Sequence, residues 1–325
     1  MLDHKVDLGF FPTPFHKLNN LSKLYPDYSI YIKRDDQTGL ASGGNKTRKL
    51  EYLLQEAIAS GADTIITSGA QQSNHCRQTA AACAQLGLEC HLLLGGTAPE
   101  GYEGNLLLSS LLGANIHFCG VHRKGEEESA LTKTLKSQGK QVYVIPYGGS
   151  NVTGALGFVN AVKELKKQLI TENLNIDYVF FASSSGGMQA GITMGNVLYD
   201  LGMNLVPISI DKEGSQGKTI EDIVFDIVDN GFKTLGYVNP LEREDIGLNR
   251  NFDKDGYGVV TENEQKAIAT LAKHEGILLD PVYTGRAFYG MLHMLKHNKI
   301  PKGSRVLFWH TGGLPALFSK LKSHS

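Results

Sequence analysis

The stretch GGNKTRKLEYLL, residues 43–54, runs from a glycine pair and an asparagine into three cations, Lys46, Arg48 and Lys49. Leu50, Leu53, Leu54, Ala57 and Ile58 then follow at i, i+3, i+4, i+7 and i+8, the spacing of an amphipathic helix, and Gly61 ends it. The helix thus begins at the cations. Electrostatically that is the wrong end, because the helix macrodipole is positive there. Two accounts fit: a solvated basic first turn, or an amine held uncharged for chemistry. Neighbouring cations and the positive helix end both lower a lysine's pKa. Arg48 and Lys49 are therefore expected to free the Lys46 amine for Schiff-base or proton-transfer work, and then to neutralise a phosphate.

The rest of the chain alternates in the same manner. Short β-branched or apolar runs (DTIITSGA, 63–70; ECHLLLGG, 89–96; NIHFCG, 115–120; QVYVIPYGGS, 141–150) are separated by helix-like segments. DYVFFASSSGG (177–187), NLVPISID (204–211) and RVLFWHTGG (305–313) continue the pattern, with TENEQKAIATLAKHEG (261–276) opening on a Thr261/Glu264 capping box. Apolar strands alternating with helices predict an α/β protein with parallel open sheets covered on both faces. No linker stands out. The glycine turn Tyr147–Thr153 is the candidate crossing between two domains.

The 325 residues suffice for two domains, and 41% apolar with 20% charged residues describes an ordinary globular protein. A net charge of −1 argues against nucleic-acid and membrane-surface partners. The N-terminus has no signal-peptide pattern, and no run approaches about 18 apolar residues. Cys76, Cys83, Cys90 and Cys119 form no CxxC or zinc pattern, so no metal is expected. Small buried thiols in a reducing cytoplasm account for them.

Open α/β sheets bind ligands beyond the carboxyl ends of their strands. Ser183–Gly191, SSSGGMQAG, follows a strand and opens a helix, which suits a phosphate. A tight strand-to-helix turn explains it equally well. It is neither GxGxxG nor a P-loop, and the missing dinucleotide fingerprint counts against a nicotinamide dehydrogenase. Ser73, Asn74 and His75 open another helix and could hold a carboxylate; capping by Ser73 or Asn74 is the commoner explanation. Tyr283 and Thr284 stand between an expected strand and a helix, and His310 and Thr311 end the last strand. An amine and a phosphate cradle without a dinucleotide signature together suggest pyridoxal phosphate (PLP).

GGNKTRKLEYLL, QSNHCRQTAA, SSSGGMQAG, DPVYTGRAFYGM and HTGGLPALF occur here in one order, from about Pro14 to Phe318. This order resembles the PLP-dependent enzymes that comprise 1-aminocyclopropane-1-carboxylate (ACC) deaminase and D-cysteine desulfhydrase. The resemblance implies a tryptophan synthase β-like architecture (PLP fold type II) and a homodimer. It implies a large PLP-binding domain of residues 1–48 plus 153–325 and a small domain of 49–152, with the active site between them. Lys46 is then the Schiff-base lysine and the base at the substrate Cα. Lys49 and the backbone of Ser185, Gly186, Gly187, Met188 and Gln189 hold phosphate, and Asn74 lies near the ring hydroxyl. Ser73, Asn74 and His75 form the carboxylate site, and Tyr257 and Tyr283 are active-site tyrosines. Met188 departs from an expected threonine, which removes one side-chain contact to phosphate. The deaminases carry Glu and Leu where this chain has Thr284 and Thr311. Threonine can donate to an unprotonated pyridine nitrogen, a weaker electron sink that is sufficient for expelling a thiol. The expectation is a carbon–sulfur lyase acting on D-cysteine. ACC deamination and β-elimination from another small amino acid, such as L-cysteate, are the alternatives within the family; a non-catalytic binding module would have no need of Lys46.

Overall fold

A computed structural model describes residues 2–210 and 217–320. The chain runs β1 (Phe15–Lys17), α1 (Asn19–Leu24), β2 (Ser29–Arg34), α2 (Lys46–Ala59), β3 (Thr64–Gly69), α3 (Asn74–Leu86), β4 (Glu89–Leu94), α4 (Gly104–Leu111), β5 (Asn115–Phe118), α5 (Glu128–Ser137) and β6 (Val142–Val144). It continues α6 (Val152–Thr171), β7 (Tyr178–Ser183), α7 (Gly187–Leu198), β8 (Asn204–Ser209), α8 (Ile220–Thr234), α9 (Glu262–Glu275), α10 (Thr284–Lys296), β9 (Arg305–His310) and α11 (Leu314–Lys320).

These strands form two sheets. One has the order β5-β4-β3-β6 and is parallel throughout. The other has the order β1-β2-β9-β7-β8. It is parallel except at its edge, where β1 runs antiparallel to β2. That edge departs from the all-parallel expectation.

Burial on both faces explains the unbroken apolar strands. Along β9, Val306 and Phe308 pack with Phe288 and Met291 of α10 on one face. Leu307 and Trp309 pack with Phe158, Val162 and Leu165 of α6 on the other. Successive side chains of a strand point to opposite faces, so both sets must be apolar. The second sheet does likewise, with Ile65 and Leu92 in one cluster and Ile66 and Leu93 in another.

The capping box at Thr261 and Glu264 forms as expected. A second, Thr219 with Asp222, starts α8. The expected strand before Asp280 is absent among the described residues; 277–283 form an irregular connection from α9 to α10. No described helix is long and apolar enough to cross a membrane.

Candidate active site

The loop before Lys46 is built on glycine because nothing larger fits. Gly43 has φ +70°, and a Cβ there would stand 1.9 Å from the Asp36 carbonyl oxygen. At Gly44, φ +130°, a Cβ would fall 2.1 Å from the Gln78 amide nitrogen. The same Gln78 accepts the Thr47 N–H at 2.7 Å and its hydroxyl at 2.9 Å. The loop is thereby locked onto α3, and the Thr311 carbonyl accepts the Asn45 N–H at 3.0 Å.

The three cations then part company. Lys46 and Lys49, three residues apart, share one face of α2. Arg48 points the other way. Its guanidinium donates to both oxygens of buried Asp35, at 2.8 and 2.9 Å, and to Glu164 at 3.0 Å. Asp35 also accepts from Trp309 Nε1 at 2.8 Å and from the Thr13 hydroxyl at 2.9 Å. The expected role of Arg48, beside Lys46 and against a phosphate, is therefore corrected: two carboxylates already compensate it. Burial, more than any neighbouring charge, lowers the Lys46 amine to about 8; Arg77 pushes the same way and buried Asp280 opposes it. Lys49 is also held well below the ordinary lysine value, by burial and then by Lys46.

Both amines have neutral partners. Lys46 donates to Asn45 Oδ1 at 3.2 Å, and Lys49 to the Gly148 carbonyl and Ser150 Oγ at 3.0 Å each. Among the described residues the cavity wall contains no Asp or Glu. Two buried amines without a hydrogen-bonded counter-ion mark a place for an anion.

The loop Ser183–Gly186 supplies the matching cradle at the N-terminus of α7. A Cβ on Gly187 would sit 2.8 Å from Lys49 Nζ and 2.8 Å from Ser150 Oγ, so the space it leaves opens directly on the cation. Ser150 Oγ accepts the Gly187 N–H at 3.2 Å and donates to Ser185 Oγ at 2.7 Å. Helix N–H groups, two hydroxyls and a buried amine suit a phosphate monoester. Met188 is buried, and its sulfur accepts from Asn45 Nδ2 at 3.2 Å, tying this loop to the residue before Lys46. The Gln189 side chain turns away, accepting from Ser183 at 2.7 Å and donating to the Gly247 carbonyl at 2.7 Å.

Across the cavity, Ser73 caps α3 by accepting the Cys76 N–H at 3.2 Å. The capping account thus holds, and Ser73 also lines the wall with Asn74 and His75. Asn105 donates to Asn74 Oδ1 at 2.8 Å, which turns the Asn74 NH₂ group away from Asn105. Thr67 gives its hydroxyl hydrogen to the Ile145 carbonyl at 2.9 Å, so at 3.0 Å it accepts from His75 Nε2. Burial and both lysines keep His75 neutral, and its Nδ1 is an acceptor without a partner among the described residues. His75 therefore offers a substrate carboxylate no positive charge.

Tyr283 and Thr311 complete the wall. Tyr257 stands behind Tyr283, with the two hydroxyl oxygens 2.6 Å apart. Thr284 is also behind the wall. Its hydroxyl donates to Asp280 Oδ1 at 2.7 Å and accepts the Asp280 N–H at 2.7 Å. The expectation that Thr284 donates to a ring nitrogen is corrected, because its one hydrogen already has an acceptor.

Of the residues singled out from sequence, Lys46, Lys49, Ser73, Asn74, His75, Ser185, Gly186, Met188, Gln189, Tyr283 and Thr311 meet at one cavity. Gly187, Tyr257 and Thr284 adjoin it without lining it. Sequence reasoning missed Asn45, Tyr147, Gly148 and Ser150 in the same wall or against it. Three of them belong to the YGGS turn, whose glycines by themselves suggest only a domain crossing.

Comparison with known proteins agrees with this geometry. The family model described as "Pyridoxal-phosphate dependent enzyme" matches residues 6–312. A D-cysteine desulfhydrase of Yersinia enterocolitica is 41% identical over 321 residues, covering 97% of this chain and 95% of the relative. One from Salmonella paratyphi A is 39% identical over the same shares. The crystal structure of an ACC deaminase homologue superposes with a TM-score of 0.88 at 35% identity, covering 97% of this chain and 93% of that one. The matched span contains the Lys46 turn, the α7 cradle and both threonines, and the two uncompensated amines are what such a cofactor requires: the chain belongs to the pyridoxal-phosphate dependent enzymes.

Proposed function

We propose that the protein is a D-cysteine desulfhydrase, converting D-cysteine and water to pyruvate, ammonia and hydrogen sulfide. The observation that carries this is the Lys46 amine, lowered to about 8 and set in one cavity with the α7 cradle and Thr311. Likeness to desulfhydrases over nearly the whole chain supports the choice of substrate.

In this reading Lys46 would hold the cofactor and would take the substrate Cα proton on Nζ. Near neutral pH an amine at about 8 is partly unprotonated, as such a base must be. Lys49, Ser150 and the Ser185–Gln189 backbone would hold the cofactor's phosphate. Asn74, in the cavity wall, would stand near the ring hydroxyl. Ser73, Asn74 and the free N–H groups at the start of α3 take the substrate carboxylate. Tyr283, backed by Tyr257, would contact the substrate from the cavity wall. When bound, PLP supplies an electron sink for the broken C–H bond.

ACC deamination, to 2-oxobutyrate and ammonia, is the second reading, favoured by the likeness to the ACC deaminase homologue. Thr311 in the cavity wall and the likeness to desulfhydrases over nearly the whole chain rank it second. The proposal also includes a cytoplasmic homodimer and two domains, 49–152 and 1–48 plus 153–325. The four-stranded sheet, whose strands all fall within 64–144, supports that division.

The test is one assay of purified protein with D-cysteine, L-cysteine and ACC, reading sulfide and keto acid. Sulfide with pyruvate from D-cysteine alone is expected. Comparable 2-oxobutyrate from ACC would replace the first reading with the second.

A further inference from the structure

Arg123 stands outside the cavity wall, in the connection from β5 to α5, yet it bears on two residues of that wall. Its Nη1 donates to the Tyr147 hydroxyl at 3.0 Å. Its guanidinium carbon lies 4.7 Å from the centre of the Tyr257 ring. Tyr257 in turn meets Tyr283 edge to face, with ring centres 6.0 Å apart and hydroxyl oxygens 2.6 Å apart. Tyr147 lines the cavity from the turn after β6, and Tyr283 lines it from the connection into α10. One side chain thus links a tyrosine beside the four-stranded sheet to a tyrosine pair beside the five-stranded one. Both ends of the link are anchored. A Cβ on Gly95 would lie 2.8 Å from Arg123 Cβ, so only glycine lets Arg123 come this close to the end of β4. Gly96 and Gly120 exchange backbone hydrogen bonds where β4 and β5 end. On the other side, buried Arg286 of α10 brackets Tyr257. It donates to the Gly256 carbonyl at 3.0 Å and the Val259 carbonyl at 2.7 Å, while Glu264 accepts from its Nε at 3.1 Å.

We propose that Arg123 is a positioning residue that clasps the two sides of the cavity, setting the gap between Tyr147 and Tyr283 in which the substrate side chain lies. The inference rests on the proposed function, which puts a small amino acid in that gap. A planar guanidinium suits the task. Its face attracts an aromatic ring while its edge donates a hydrogen bond, and the two contacts do not compete. Arg123 reaches Tyr147 directly and Tyr283 through Tyr257. Tyr147 and Tyr283 stand 136 residues apart in the chain, on segments that pack against different sheets, so neither local structure nor one sheet fixes their separation. A displacement of Tyr283 by a fraction of an ångström changes its contact with the substrate, and such displacements act on turnover more than on binding.

The test is a double-mutant cycle in the holoenzyme, with kcat and KM measured on whichever of D-cysteine, L-cysteine and ACC the parent turns over. The variants are Arg123→Ala, Arg123→Lys, Tyr257→Leu and the combination of Arg123→Ala with Tyr257→Leu. Arg123→Gln, which keeps a donor for Tyr147 without the charge, takes the place of Arg123→Ala if that variant does not fold. Arg123→Ala should lower kcat about 5- to 30-fold, the scale of one partly desolvated cation–π contact, and raise KM less. Arg123→Lys keeps the charge and should recover part of the loss. In the Tyr257→Leu background Arg123→Ala should cost about 2-fold or less, because the route to Tyr283 is already cut. Amide hydrogen exchange, followed without substrate, should quicken in segment 250–260 of Arg123→Ala. Parent-like turnover in Arg123→Ala, or an equal cost with and without Tyr257, overturns the inference. A parent that turns over none of the three amino acids overturns the proposed function instead; the exchange then judges the clasp alone, and an unchanged rate in segment 250–260 overturns it.

Discussion

One turn of α2 carries two buried charged regions that are opposite in design. On one face Arg48 is closed in by Asp35 and Glu164, with Thr13 and Trp309 taking up further bonds of the same carboxylates. Lys33 joins Glu164 from the other side. On the other face Lys46 and Lys49 have only amide, carbonyl and hydroxyl oxygens. A buried charge needs compensation. The Arg48 face finds it within the chain, which makes that face structural. The Lys46 face has no hydrogen-bonded counter-ion, and only the charge of buried Asp280 reaches Lys46, so the face is left open to an anionic ligand. That difference, more than the number of cations, separates scaffold from site.

Four substitutions or conditions test the contrast. Lys46→Ala removes the reactive amine, and sulfide release should fall on the order of 10⁴-fold; covalent cofactor attachment, read by absorbance after dialysis, should vanish. Attachment that survives would mean another lysine holds the cofactor. Arg48→Met takes the guanidinium from between Asp35 and Glu164 and leaves them Lys33 as their one remaining cation among the described residues. It should destabilise the fold by about 3–5 kcal/mol in denaturant titration, and a loss below about 1 kcal/mol would show the network to be slack. Lys49→Met should act in the opposite sense. Without cofactor the variant should be at least as stable as the parent, because an uncompensated buried charge is gone. Its affinity for PLP should drop about 10- to 100-fold, the scale of one charged hydrogen bond. Equal destabilisation by Arg48→Met and Lys49→Met would erase the distinction.

The smallest effect is on pH dependence. The folded-state pKa of Lys46, about 8, lies below the unfolded lysine value of 10.5. Between these values the unfolded chain binds more protons, so cofactor-free stability from this group rises with pH and is least below pH 8. Melting curves of the parent and Lys46→Ala, repeated in a Lys49→Met background because Lys46 also lowers Lys49, isolate the term between pH 8 and 10, where His75 stays neutral in both. A difference that stays flat from pH 8 to 10 would place the Lys46 pKa elsewhere.

Much of this was legible in sequence. The helix start at Lys46 follows from a 3.6-residue period, and the β7–α7 loop from a strand run ending in Ser and Gly. Both are local signals. The fate of Arg48 is not local: its partners stand 13 and 116 residues away. No spacing rule assigns one cation of three to the scaffold. Asp280 was hidden for a related reason. An Asp-Pro pair announces a turn, but its capping of Thr284 depends on 277–283 being irregular, where the apolar residues suggest a strand. The short β1–β2 pair gives only a weak pattern, and its antiparallel edge none. α8 was within reach, since Thr219 and Asp222 are a helix-start signature.

Trp309 closes the Arg48 network, and it is the chain's single tryptophan. Its ring is sealed from water against the edge of Phe158, and two residues later the chain reaches the cavity at Thr311. Nature has thus placed one fluorophore between the scaffold face and the reacting face of the same structure. Its emission reports on both at once: a red shift marks water reaching Asp35, and energy transfer to a coloured cofactor marks loading of the site. Unfolding and cofactor uptake can be followed in a single cuvette, with no label added.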